Sequence, residues 1–135
     1  MKVRDMMHKG VTCVSPDTAI DAVAKKMREL DVGAIPVAAN GNLVGIITDR
    51  DITIRCVAGN EAMSKVKAKD VMTSGVVYCR DNEDVEDAVR IMEGKQIRRL
   101  PVLDEAMKIV GMVSLGDIPR DITGEVAKAV SAHHP

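Results

Sequence analysis

Residues 45–52 read GIITDRDI, and residues 111–118 read GMVSLGDI. Both stretches have a glycine, two apolar residues, a Thr or Ser, two variable residues, an aspartate and an isoleucine in the same order. We call them the Gly45 motif and the Gly111 motif. Self-similarity at a fixed spacing is the signature of a repeated structural unit. The two motifs therefore predict that the chain consists of two copies of one fold.

Other positions of the chain support the repeat. A shift of 66 residues aligns the two motifs, and a shift of 65 residues aligns further identical pairs: Asp5 with Asp70, Met7 with Met72, Gly10 with Gly75, Val11 with Val76, Met27 with Met92, Pro36 with Pro101 and Val37 with Val102. One inserted residue in the turn at 40–42 or 105–108 explains the change of shift. We expect a first repeat at 3–55, a helix end and connector at 56–67, a second repeat at 68–121 and a tail at 122–135.

Each copy follows the same order of predicted elements. A short strand (11–14 or 76–79) precedes an N-cap residue, Asp17 or Asn82, and then a helix with apolar residues on one face. Those residues are Ile20, Val23, Ala24, Met27 and Leu30 in the first copy, and Val85, Ala88, Val89 and Met92 in the second.

Two strands and a second helix complete each predicted copy. The strands lie at 35–37 and 43–47, joined by a tight Asn40-Gly41 turn, and at 100–103 and 109–113. The second helix starts at Asp51 or Asp117, with Pro119 in the first turn of the latter. A three-stranded sheet of this size buries too little surface alone. We therefore expect an α+β fold of two pseudo-twofold-related β-α-β-β-α repeats packed through their sheets.

The amino-acid composition argues against some classes of function. Apolar residues make up 46% of the chain, net charge is −1, and there is no Phe or Trp, one Tyr and nine Met. The lack of aromatic platforms and of basic charge argues against nucleic-acid binding. No apolar run approaches the ~20 residues that span a bilayer, and the charged N-terminus does not resemble a signal peptide, so we expect a cytoplasmic protein.

The cysteines and the other reactive side chains form no recognised catalytic or metal motif. Cys13, Cys56 and Cys79 have no CxxC spacing, so we expect them to be reduced and to serve mainly in packing. The sequence contains no nucleophile–base pair, no Gly-rich phosphate loop and no metal-ligand cluster. We therefore expect neither an enzyme nor a metal site; His133-His134 at the end is more typical of a tail.

The repeated motif suits a nucleotide. A hydroxyl beside a helix N-terminus can bind a phosphate group, and an aspartate three residues later can accept hydrogen bonds from both ribose hydroxyls. The alternative is that Thr48 with Asp51, and Ser114 with Asp117, simply cap helices.

The residues that carry a family resemblance are DMM and DVM at 5–7 and 70–72, the Ile-Pro-Val and Leu-Pro-Val triplets at 35–37 and 100–102, and the two motifs. With these features the chain resembles a tandem CBS (cystathionine β-synthase) domain pair, a Bateman module, of the small stand-alone kind. The resemblance implies a regulatory, ligand-sensing module that binds an adenine nucleotide (AMP, ADP, ATP or a related adenosine compound) in two clefts between the repeats. It implies no required cofactor, a homodimer formed through the helices, and a protein partner that the sequence does not name.

The resemblance also implies which residues line each cleft. The first cleft would use Met112, Ser114, Gly116 and Asp117, with Thr12, Gly33 and Ala34 entering from the first repeat. The second would use Ile46, Thr48, Arg50 and Asp51, with Val77 entering from the second repeat.

The two predicted clefts differ in charge. Arg98-Arg99 precede Pro101, where Gly33-Ala34 precede Pro36. CBS modules that bind phosphorylated ligands often place basic residues there, so we expect the Asp117 cleft to bind phosphate. Arg50 would contact phosphate in the other cleft or pair with Asp49, and His8, the counterpart of Thr73, is a further candidate for a cleft lining. An interaction scaffold with empty clefts remains the alternative, and a nucleic-acid-binding protein is a less favoured one.

Overall fold

The computed structural model describes residues 1–122 and divides the chain into two compact units. Residues 12–76 form the continuous unit. Residues 1–11 and residues 77–122 together form the composite unit. The boundaries of these units differ from those of the predicted repeats. Residues 68–76 belong to the continuous unit, with most of the first repeat, and residues 3–11 belong to the composite unit, with most of the second. Of the predicted tail, 123–135 fall outside the described residues, and His133-His134 with them.

The elements follow one another in the order expected for two related copies. In the first half they are α1 (Val3–Met6), β1 (His8–Lys9), α2 (Ile20–Leu30), β2 (Ala34–Ala39), β3 (Asn42–Thr48) and α3 (Asp49–Asp51), which continues as a π-helical segment (Ile52–Val57). In the second half they are α4 (Ala68–Val71), β4 (Cys79–Arg80), α5 (Val85–Lys95), β5 (Arg99–Leu103), β6 (Ile109–Ser114) and a 3-10 turn (Leu115–Asp117). This mixture of helices and antiparallel hairpins confirms the α+β class.

The sheet of the composite unit has the order β1-β6-β5-β4. β6 pairs antiparallel with both β1 and β5, and β4 pairs parallel with β5. Strand β1 comes from the start of the chain, so the sheet of the second repeat obtains its edge strand from the first predicted repeat.

The continuous unit repeats this topology with shorter pairings. Its hairpin β2–β3 is flanked by two single bridges, a parallel one between Val14 and Val37 and an antiparallel one between Ile46 and Thr73. Under the shifts of 65 and 66 residues these bridges correspond to the β4–β5 and β1–β6 pairings. The sequence repeat is therefore also a repeat of strand connections.

The turn between β2 and β3 is the tight one that the sequence predicts. Asn40 and Gly41 both have positive φ, 55° and 80°, and join Ala39 directly to its partner Asn42. Two successive positive-φ residues characterise the turn that best fits the right-handed twist of a hairpin. The corresponding loop of the second copy is longer, with Met107 at φ 63°.

The apolar faces of the two long helices lie in the cores as predicted, with one exception. Ile20, Val23 and Met27 of α2 are buried, but Leu30 remains 46% exposed. The helix ends at Asp31, which has the left-handed conformation (φ 54°) that commonly ends a helix. In α5, the residues Val85, Ala88, Val89 and Met92 are fully buried.

The predicted N-caps are wrong. Helix α2 begins at Ile20 and α5 at Val85, each three residues after the predicted cap, and neither has a side-chain cap. Backbone carbonyls of neighbouring segments accept the first helical N–H groups instead: Val66 O bonds to Ile20 N at 2.9 Å, and Met1 O bonds to Val85 N at 2.9 Å. A helix terminus satisfied in this way does not need a capping side chain. The Asp17 side chain instead forms an ion pair, with Oδ1 3.3 Å from Lys69 Nζ.

The first strands and the last helix also differ from the prediction. The segment predicted as a strand at 11–14 forms one bridge at Val14, and 76–79 contributes only Cys79 to β4. No helix begins at Asp117: a 3-10 turn ends there, and the next helical residues are 120–122, after Pro119. No helix among the described residues is long and apolar enough to span a membrane.

Candidate functional site

The Gly45 motif closes on itself as a helix cap. Thr48 Oγ1 accepts a hydrogen bond from Asp51 N at 3.1 Å, and Asp51 Oδ2 accepts one from Thr48 N at 3.0 Å. Both bonds are partly buried. This reciprocal pair is a capping box, which satisfies two backbone donors that the helix leaves free. The capping geometry is therefore present at Thr48 and Asp51, where it occupies one oxygen of the carboxylate, and a nucleotide-binding role of these two residues stays a prediction.

The Gly111 motif has the same residue types but a different geometry. Ser114 makes no side-chain cap bond, and the 3-10 turn that follows it carries Asp117 as an exposed residue. Asp117 Oδ2 instead accepts a hydrogen bond from His8 Nε2 at 2.7 Å. The Ser114 hydroxyl and the carboxylate are thus not used to hold the backbone of this turn.

The residues before each Pro-Val pair lie directly beside a motif. In the composite unit Leu115 N donates to Arg98 O at 2.8 Å, and Arg99 is in register with Ser114. In the continuous unit Asp49 N donates to Gly33 O at 3.0 Å, and Ala34 is in register with Thr48. Two exposed arginines therefore neighbour the Gly111 motif through their backbones, where the Gly45 motif has a glycine and a buried alanine.

The glycine of each motif has a packing role that sequence reasoning missed. A Cβ atom at Gly45 would lie 2.5 Å from the Met72 sulfur, and one at Gly111 would lie 2.6 Å from the Met7 sulfur. Met7 and Met72 are counterparts under the shift of 65 residues. The recurrence of a Met and a Gly in both copies was the available signal, although nothing in the sequence placed the two side by side.

The predicted site residues divide between the units. The composite unit holds Val77, Arg98, Arg99, Met112, Ser114, Gly116 and Asp117, and the continuous unit holds Thr12, Gly33, Ala34, Ile46, Thr48, Arg50 and Asp51. The predicted grouping across the two repeats stays a prediction. Val77 packs against the core of the composite unit. Arg50 bonds to Asp49 through its backbone N–H, at 2.9 Å, rather than through its guanidinium group.

Burial keeps the thiols of Cys79 and Cys13 protonated. Burial, and secondarily Glu83, raises the pKa of Cys79 to about 12, and its thiol lies 3.9 Å from Pro101 O. Burial also raises the pKa of Cys13. Both thiols are protonated near neutral pH, and a protonated thiol is a poor nucleophile and a poor metal ligand. Within residues 1–122 no three His, Cys, Asp or Glu side chains cluster as a metal site would require.

The comparisons with known proteins agree with the repeat. The model of the CBS domain matches twice, at residues 3–57 and 68–124. The CBS domain-containing protein YhcV of Bacillus subtilis is 42% identical over 117 residues, which cover 86% of this chain and 81% of the relative.

Solved structures with this fold include proteins with bound ions or adenosine compounds. Hypoxic Response Protein I, with two coordinated zinc ions, is 32% identical with a TM-score of 0.80 and full coverage of both chains. CBSX2 in complex with AMP is 25% identical, with a TM-score of 0.74 over 99% of this chain and 98% of that one. The CBS domain pair of protein MJ0100, with 5′-methylthioadenosine and S-adenosyl-L-methionine, is 28% identical, with a TM-score of 0.78 over 93% and 98% of the two chains.

Proposed function

Since this chain belongs to the CBS domain family, which its two repeats match at 3–57 and 68–124, we propose that it is a regulatory module that senses an adenosine-containing ligand. The Gly111 motif carries the principal binding residues, with Asp117 as the ribose acceptor. The ligand class is supported by the relatives that were solved with AMP and with S-adenosyl-L-methionine and 5′-methylthioadenosine.

One observation carries the choice of the Gly111 motif. Asp51 and Thr48 are consumed by a capping box, whereas Ser114 and Asp117 make no cap bond. A ligand at the Gly111 motif would therefore gain hydrogen bonds without breaking a helix cap. A ligand at the Gly45 motif would have to share Asp51 with the backbone N–H of a helix cap, whereas at the Gly111 motif it would share Asp117 only with the His8 side chain.

The charges beside the motif define the ligand further. Arg98 and Arg99 are exposed and border Ser114 and Leu115. Guanidinium groups bind phosphate oxygens through charge-assisted hydrogen bonds. We therefore expect a phosphorylated adenosine, such as AMP, to bind more tightly than adenosine itself.

Thermal unfolding of the purified protein tests this proposal. A ligand that binds only the native state adds ~2.7 kcal/mol of stability at 100 times its dissociation constant. We expect AMP, ADP, ATP or S-adenosylmethionine to raise the Tm, and GTP to raise it less. Asp117→Ala should abolish the increase while leaving the unliganded Tm nearly unchanged.

Asp51→Ala is the matched variant. We expect it to lower the unliganded Tm, because it removes a cap, and to retain the shift with ligand. A ligand shift that survives Asp117→Ala but not Asp51→Ala would reverse the assignment of the site. No shift with any adenosine compound, in protein free of carried-over nucleotide, would favour an interaction scaffold with empty sites.

We also propose a homodimer that forms through exposed apolar side chains of the π-helical segment. In the continuous unit, Ile54 and Val57 of the π-helical segment are 51% and 56% exposed. Large apolar side chains exposed together on one segment are typical of an interaction surface. Light scattering coupled to size exclusion should give twice the 14.5 kDa mass, and Ile54→Lys with Val57→Lys should give the monomer mass.

A further inference from the structure

The contact between His8 and Asp117 is not explained by folding alone. His8 Nε2 lies 2.7 Å from Asp117 Oδ2, and the two side chains are 68% and 41% exposed. The length is that of a charge-assisted hydrogen bond. Exposed pairs of this kind contribute little to stability, so any role of this contact lies in how it holds the carboxylate.

The strand pairing places His8 at the motif. β1 is paired antiparallel with β6, with His8 in register with Met112, which lies two residues before Ser114. The backbone of β1 therefore brings the imidazole to the end of β6, where the 3-10 turn presents Asp117. The hydrogen bond therefore joins a residue at the start of the chain, His8, to Asp117 of the second repeat.

The continuous unit shows what replaces the histidine there. Thr73 occupies the position of His8 and bridges Ile46, as His8 bridges Met112. Asp51, the counterpart of Asp117, takes its fixed orientation from Thr48 N, at 3.0 Å. Each carboxylate is thus held by one hydrogen bond through Oδ2, but the donor is a backbone amide in one unit and an imidazole in the other.

From this substitution of donors we infer that His8 is a positioning residue for the Asp117 carboxylate. The inference rests on the proposed function and adds to it the residue that prepares the ribose acceptor. His8 holds Oδ2, which leaves Oδ1 to accept a hydrogen bond from a ribose hydroxyl. A side chain that is already fixed loses less rotational freedom when the ligand binds.

Calorimetric titration with adenosine tests the inference in the full chain. Adenosine is uncharged at neutral pH, so changes of charge on the protein affect it little. We expect His8→Ala to weaken adenosine binding by about 3- to 10-fold, the cost of ordering one more side chain. His8→Gln, whose amide can donate to the same oxygen, should recover most of that affinity. Lys9→Ala, the neighbouring exposed residue of β1, is the control for damage to the strand.

Two further measurements separate positioning from a merely structural effect. In an Asp117→Ala background, which removes the acceptor of the His8 bond, His8→Ala should have no additional effect on the remaining affinity. The preference for adenosine over 2′-deoxyadenosine and 3′-deoxyadenosine should fall in His8→Ala, because the group that reads the ribose is no longer fixed. Equal or tighter binding of adenosine by His8→Ala would overturn the inference and make His8 a competitor of the ligand.

A ligand-free measurement keeps the inference apart from the proposed function. Three-bond NMR couplings across Cα–Cβ of Asp117 report whether the side chain occupies one rotamer. We expect one rotamer in the wild type and averaged couplings in His8→Ala. If neither adenosine nor any phosphorylated adenosine binds the wild type, the proposed function fails, and these couplings still decide the role of His8: unchanged couplings overturn it.

Discussion

Gly111 lies against the Met7 side chain, so that a Cβ atom at Gly111 would come within 2.6 Å of the Met7 sulfur. The same Cβ atom would lie 2.8 Å from His8 O, a backbone atom. At Gly45 the close atoms all belong to the Met72 side chain. The two glycines therefore share a role but differ in what surrounds them, because a methionine side chain can move and a strand backbone cannot do so cheaply.

This difference predicts unequal costs for two matched substitutions. Gly111→Ala should destabilise the protein by about 1–3 kcal/mol, as overpacking of a rigid site does, and Gly45→Ala should cost less. Adding Met72→Ala should recover Gly45→Ala, whereas adding Met7→Ala should leave most of the Gly111→Ala loss, because His8 O remains in the way. Urea unfolding of the four variants measures these costs. Equal recovery in both pairs would show that the methionines alone require the glycines.

Much of the fold was predictable because the sequence contains two copies of the same pattern. The repeat, the apolar helix faces and the Asn40-Gly41 turn all depend on local patterns or on one copy confirming the other. The helix starts were not predictable, because backbone carbonyls of Val66 and Met1 supply the missing acceptors. Such contacts join segments far apart in sequence and leave no side-chain signature.

The candidate site, too, was only partly predictable from the sequence. The repeated pattern pointed to the motif residues, and the family resemblance pointed to Arg98 and Arg99, but neither predicted the different use of Asp51 and Asp117. The two aspartates occupy equivalent sequence positions, but Asp51 accepts a hydrogen bond from Thr48 N and Asp117 accepts one from His8 Nε2. His8 was recognisable as the counterpart of Thr73, yet its contact depends on β1 joining the sheet of the second repeat.

The capping box makes a prediction about stability. Thr48→Val removes the acceptor for Asp51 N while keeping the shape of the side chain, so it should cost about 1 kcal/mol, as lost caps do. Ser114→Ala is the matched change in the other copy and should cost less, because Ser114 makes no cap bond. Chemical denaturation of both variants measures the difference. A larger loss for Ser114→Ala would contradict the asymmetry of the two motifs.

The arginine pair makes a prediction about ligand choice. Replacing Arg98 and Arg99 together by Ala should weaken AMP binding by about tenfold or more, since charge-assisted hydrogen bonds contribute ~1.5–3 kcal/mol each. Adenosine lacks the phosphate, so its affinity should change much less. Calorimetric titration with both ligands gives the two ratios. An equal loss for AMP and adenosine would show that the arginines do not bind the phosphate.

The buried thiol of Cys79 makes a prediction about pH. Its pKa is raised to about 12 in the folded chain, against 9.0 for an ordinary cysteine. Below pH 9 the thiol is protonated in both states, so its full contribution to stability is present. Between pH 9 and 12 the unfolded chain loses the proton first, so stability falls as pH rises. The stability advantage of the wild type over Cys79→Ala, measured by urea unfolding, should therefore shrink from pH 8 to pH 10.5. An advantage that stays constant over this range would mean that the thiol ionises as readily in the folded chain as in the unfolded one.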